Sequence, residues 1–135
     1  MRNEILVISL NKRFRRFEKK VKSATAGILR ILRKDNVFLE IFLADSGKML
    51  FLNKKFRGKN KAANILSFKE SKEFVSPPSK FKHLGEIYLE LPITDYSMTQ
   101  LLAHGILHLL GYSHNKKIDR IKMEKREKEI CSSSL

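Results

Sequence analysis

The stretch HGILHLLGYSH, residues 104–114, carries three of the chain's four histidines in an otherwise apolar setting. His104 and His108 are four positions apart, about 400° of helical rotation, so on a helix both rings leave the same face one turn apart. Gly111 can adopt the left-handed conformation that stops a helix and turns the chain back. His114 then returns to the same point from outside the helix. Three neutral imidazole ligands leave a fourth position for water, the arrangement of a catalytic zinc site with one ion per chain. Zinc held this way lowers the pKa of its water towards ~7. The alternative, several separately satisfied imidazoles along a core helix, needs a partner for each ring in a low-dielectric setting, which is costly.

HGILHLLGYSH resembles the metzincin protease pattern H-E-x-x-H-x-x-G-x-x-H at the three histidines and the glycine. Gly105 stands where such proteases carry the glutamate that acts as general base. Peptide hydrolysis is therefore not expected.

A closer resemblance is to the YbeY-type bacterial rRNA maturation endoribonucleases. HGILHLLGYSH matches their H-G-x-L-H-L-x-G-Y-x-H, LNKKFRGKNKAANILSF (52–68) is similar to their L-N-x-x-[YF]-R…[DN]-V-L-S-F, and LGEIYLEL (84–91) to their G-[DE]-I strand. The resemblance extends over about residues 5–130. It implies a metal-dependent endoribonuclease selective for single strands, acting in 16S rRNA 3′-end maturation and ribosome quality control. By motif position His104, His108 and His114 are the implied zinc ligands. Arg57 is the implied arginine of the RNA groove, where a guanidinium pairs well with phosphate oxygens. Lys54, Lys55, Lys59 and Lys61 would supply groove electrostatics, and Asn64 and Ser67 lie on the strand the family places beside the site. The chain departs from the pattern at Ser113, where an aspartate is usual, and at Ala62–Ala63, where Pro–Thr is usual. The segment before His104 is also shorter. Loss of the aspartate predicts weaker metal binding. No carboxylate lies inside the histidine motif, so the nucleophile is open between zinc hydroxide and the 2′-OH of the RNA.

Charge agrees with a polyanionic partner. Lys and Arg total 28 against 14 acidic residues, a net charge of +14 over 135 residues. Such an excess steers nucleic acid in; a membrane surface is less expected, and charge does not separate RNA from DNA, whereas the resemblance implies RNA and no DNA. The single cysteine, Cys131, excludes a disulfide framework and points to a reducing compartment. No signal-like segment or membrane span is read, so a cytoplasmic location is expected.

These residues need a scaffold, and 42% hydrophobic content in one domain of this length suffices for a core. EILVISL (4–10) reads as a strand. From Asn11 onward, Phe14, Phe17, Val21, Ala24, Ile28 and Ile31 recur at helical steps under a basic outer face. NVFLEIFLAD (36–45) reads as a strand buried on both faces, followed by a helix starting near Ser46 and the RGKNK turn. ANILSF (63–68) and LGEIYLEL are two more strands, separated by a loop with Pro77–Pro78. His83, at the edge of that last strand, reads as surface. Asp95 or Ser97 can cap the histidine helix, Ser97 with Gln100 as a capping box, and Lys116–Ile130 is a charged helix with Ile118, Ile121 and Met123 as its apolar side. Residues 131–135 are expected as a disordered tail. The fold class is α+β: one domain over 1–135, a small mixed four-stranded sheet packed with helices. A different class of function also fits the charge, a non-catalytic RNA- or ribosome-binding module with a structural metal. Structural zinc usually fills all four positions with protein ligands, which favours the catalytic reading.

Overall fold

The computed structural model describes residues 2–69, 81–93 and 97–133. The order is β1 (Glu4–Ser9), a 3-10 turn (Lys12–Phe17), α1 (Glu18–Ile31), β2 (Val37–Ala44), α2 (Ser46–Arg57), β3 (Ile65–Lys69), β4 (Lys82–Glu90), α3 (Met98–Leu109) and α4 (Lys117–Ser133). The sheet runs β1-β2-β4-β3. β1, β2 and β4 are mutually parallel, and β3 lies antiparallel to β4 at the edge. This is the mixed four-stranded α+β architecture read from the sequence. The Pro77–Pro78 loop and Asp95 fall outside the described residues.

The main core fills one face of the sheet. Leu39, Ile41 and Leu43 of β2 and Ile87 and Leu89 of β4 meet Val21, Ile28 and Leu29 of α1, Leu102, Ile106 and Leu107 of α3, and Met123 and Ile130 of α4. On the other face, among the described residues, α2 packs through Met49 and Leu52 against Ala44 and Leu66. β2 therefore alternates instead of being buried on both faces as expected. Phe38, Glu40 and Phe42 are half-buried, because one short helix cannot cover the whole strand. Aromatic and ionic pairs take up the remainder. Phe42 stacks on Tyr88 with centroids 4.8 Å apart, and His83 sits 3.1 Å from Glu40. His83 is thus not a surface residue: its side chain is only 15% exposed, held by the carboxylate across the strand pair.

Helix ends follow their local chemistry. Asn11 accepts from Arg13 N–H at 3.1 Å and starts the turn that leads into α1, which is tight at first instead of α-helical throughout. Asp45 caps α2 by accepting from Lys48 N–H at 2.9 Å, and Ser97 caps α3 by accepting from Gln100 N–H at 3.0 Å. α4 runs to Ser133, so residues 131–133 continue the helix where a tail was expected. Buried Ile130 anchors its last turns. Its inward stripe also differs from the expected one. Met123 and Ile130 are buried, whereas Ile118 and Ile121 are 61% and 52% exposed.

α3 crosses β3 and β4 closely, and Gly105 is the reason. A Cβ there would lie 2.8 Å from Ile65 Cδ1, 3.0 Å from Ser67 Oγ and 3.3 Å from Ile87 Cδ1. The gap is closed further by Ser67 Oγ, which donates to the Gly105 carbonyl at 3.2 Å. Gly105 therefore does more than lack a protease's glutamate; any larger residue forces the Ile65, Ser67 and Ile87 side chains to shift. Gly105→Glu is expected to destabilise the fold by at least about 2 kcal/mol through overpacking and a buried charge, read as a lower urea midpoint. An unchanged midpoint would contradict this packing.

Candidate metal centre

α3 ends in a Schellman motif. Tyr112 N–H donates to Leu107 O at 3.0 Å, and Gly111 N–H donates to His108 O at 3.1 Å. Gly111 holds φ +103°, a backbone conformation that an L side chain resists. The chain reverses there and brings His114 back over the helix face that carries His104 and His108. The three rings then sit together, with centroids 4.6–4.8 Å apart.

Ring nitrogens of all three histidines lie within 4.8 Å of one another. His104 Nε2 and His108 Nε2 are 3.1 Å apart. Two nitrogens bound tetrahedrally to one zinc ion would stand about 3.3 Å apart, given Zn–N bonds of about 2.0–2.1 Å. The donor set therefore fits a metal ion. Tautomers point the same way. His104 Nδ1 lies 2.7 Å from Glu127 Oε1; a carboxylate oxygen accepts, so the ring proton sits on Nδ1 and the Nε2 lone pair faces inward. Burial, then the neighbouring His104 and His114 rings, push the His108 pKa down to about 4, against a hydrogen bond to the Tyr112 backbone that works the other way. His108 is therefore neutral at pH 7, the form a metal requires.

Beside the histidines opens a pocket of about 640 Å³, lined among others by Asn53, Arg57, Lys59, Lys61, Asn64, Ser67, Lys69, His104, His108, Tyr112 and Ser113. Arg57 Nη2 donates to Ser67 O at 2.9 Å, and its guanidinium lies 5.5 Å from the Phe68 ring centroid. That anchoring leaves most of its N–H donors for another acceptor. Of the residues expected to contact RNA, Arg57, Lys59, Lys61, Asn64 and Ser67 line this pocket; Lys54 and Lys55 do not, and project from the exposed side of α2. His114 completes the histidine cluster as its exposed member.

Four contributors were missed in the sequence. Asn53 is buried on α2, and its Nδ2 donates to Lys61 O at 2.8 Å, which pins the basic loop after the helix. Its signal was a polar side chain on the same helical stripe as Met49. Lys69 and Tyr112 add pocket wall; Lys69 has no clear sequence signal, whereas Tyr112 has its place in the GYSH end of the histidine motif. Glu127 comes from α4, 23 residues after His104. It shares the inward stripe with Met123 and Ile130, and that stripe was the only available sign.

The family profile described as endoribonuclease YbeY matches residues 7–134. The chain belongs to the YbeY endoribonuclease family. Curated relatives named endoribonuclease YbeY include one from Chelativorans sp., 35% identical over 106 residues, covering 70% of this chain and 64% of that protein. Another, from Persephonella marina, is 35% identical over 73% of this chain and 71% of its own length. A third, from Buchnera aphidicola, is 36% identical over 126 residues, 84% of this chain and 74% of its own. The matched stretch thus spans about two-thirds to three-quarters of these YbeY proteins. Among solved structures, TM1509 from Thermotoga maritima superposes with a TM-score of 0.54 and 25% identity, covering 96% of this chain and 90% of that one. No helix among the described residues is long and apolar enough to cross a membrane.

The His104–Glu127 pair makes a prediction about metal affinity. Glu127→Ala should weaken zinc binding about 10- to 100-fold in a chelator competition, because His104 loses the partner that fixes its tautomer and ring orientation. Glu127→Gln, which keeps an acceptor without the charge, should fall between that variant and wild type. Equal affinities for all three proteins would contradict an orienting role.

Proposed function

We propose that this chain is a zinc-dependent endoribonuclease that cuts single-stranded RNA, with 16S rRNA 3′-end maturation and ribosome quality control as its setting and small-subunit precursors as its partners. One observation carries the reading. Three imidazoles cluster beside a pocket that Arg57, Lys59, Lys61 and Lys69 also line.

The division of labour follows from the residue chemistry. His104, His108 and His114 would hold one ion through three nitrogens, with Glu127 fixing the His104 ring. When bound, such an ion would supply Lewis acidity at a phosphoryl oxygen or activate a water at neutral pH. Arg57 would hold a phosphate: one N–H is held by Ser67 O and Phe68 lies beside the guanidinium, which leaves its other donors for phosphate oxygens. Lys59, Lys61 and Lys69 neutralise the flanking phosphates, an interaction that weakens with salt. Ser67 and Asn64 complete the wall, with Ser67 also tying β3 to α3 through the Gly105 carbonyl.

Metal analysis joined to RNA cleavage tests this. Purified protein should carry about one zinc per chain, and chelation should abolish cleavage of single-stranded RNA, with zinc restoring it. His108→Ala should reduce cleavage to background. Arg57→Ala should lower kcat by about 100-fold or more with metal content intact, as expected for loss of a donor that stabilises transition-state charge. Stoichiometric zinc and RNA binding without histidine-dependent cleavage would instead identify a binding module with a structural metal.

A further inference from the structure

α2 presents an outer face that the core does not use. Met49 and Leu52 already seat the helix on the sheet, yet Phe51 is 53% exposed and Phe56 59%. Each ring is flanked by cations. Lys48 Nζ lies 5.2 Å and Lys55 Nζ 5.6 Å from the Phe51 centroid, and Lys55 Nζ is 5.3 Å from that of Phe56. Phe56 meets Phe68 edge-on at 5.6 Å, and Phe68 in turn carries Arg57 at 5.5 Å. The helix, SGKMLFLNKKFR, has no acidic residue. Cations and rings thus form one chain of contacts, Arg57–Phe68–Phe56–Lys55–Phe51–Lys48, from the pocket wall to the first turn of α2.

We propose that this face is a stacking platform for the single-stranded RNA that leaves the pocket, with bases on Phe56 and Phe51 and phosphates on Lys55 and Lys48. The proposal rests on the RNA reading above and extends it beyond the pocket. Single isolated phenylalanines on a surface are ordinary. Two linked through Lys55, with Lys48 on the far side of Phe51, and joined to a basic pocket have the composition of a sequence-tolerant single-strand site: π-faces for any base beside charges for the backbone. From Lys48 to Arg57 the helix advances about 14 Å, which is room for about four stacked bases. The lysines now resting on the rings supply a cation–π contact that stacked bases can replace, freeing the ammonium groups for phosphate. A protein partner with an apolar patch would be repelled by this density of lysines unless it were acidic. A lipid surface would require a broader apolar stripe than these rings provide.

The test uses the full chain and two labelled oligouridines, one of four nucleotides that occupies the pocket alone and one of fourteen. Phe51→Ala should raise the Kd for the long RNA about tenfold or more and leave that for the short RNA within about twofold. Phe51→Trp should restore long-RNA affinity, which a merely structural role would not require. The Lys48→Gln, Lys55→Gln double variant should lower the slope of log affinity against log salt by about 1.4 for the long RNA, two phosphates' worth. Phe51→Ala curves that match wild type at both lengths, or shift equally at both, would overturn the platform. So would loss of binding to anionic phospholipid vesicles with RNA affinity unchanged. Failure of the wild-type chain to bind either RNA would instead bring down the RNA reading beneath it.

Discussion

Two imidazole nitrogens 3.1 Å apart cannot both offer lone pairs to each other without repulsion. A proton or a cation must stand between them. Glu127 accepts from His104 Nδ1–H and so turns the ring with Nε2 towards His108. Burial and the two neighbouring rings keep His108 neutral. A metal ion among the three rings would relieve that repulsion. Holding three lone pairs in that arrangement is the constraint from which much of the surrounding structure follows.

Each neighbouring element contributes to it. Gly105 lets α3 lie close against β3 and β4, which brings the histidine face to the pocket edge beside Ser67 and Arg57. Gly111 reverses the chain so that His114 arrives over the same turn. Met123 and Ile130 bury one stripe of α4 and so aim Glu127, midway between them, at His104. Asn53 fixes the loop that carries Lys59 and Lys61. Separate packing decisions in three helices and an edge strand thus converge on one cluster of about four side chains.

Helical periodicity is why the histidines and Gly111 were legible in the sequence. Their spacing maps onto a face and a stop without tertiary information. The same logic fails for Glu127. Its partner lies 23 residues away in another helix, and α4 offers two candidate apolar stripes, one through Ile118 and Ile121 and one through Met123 and Ile130. Only contact with α1 and α3 selects the second. β2 misled for a related reason: a run of alternating aliphatic and aromatic residues looks buried on both sides, but Phe38 and Phe42 find cross-strand rings instead of a full second layer. His83, read as surface, is drawn in by Glu40, a strand-to-strand pairing that local sequence does not encode. Gly105 was correctly singled out but for only half of its role. Its spacing spoke against a protease, while its tight contact with the sheet is visible only in three dimensions.

X-ray absorption at the zinc edge of the purified protein tests the metal account most directly. The account predicts a first shell of three imidazole nitrogens and one further light atom at about 2.0–2.1 Å, with the imidazole scattering reduced in His108→Ala. A sulfur shell at about 2.3 Å, or a zinc environment unchanged by that substitution, would contradict it.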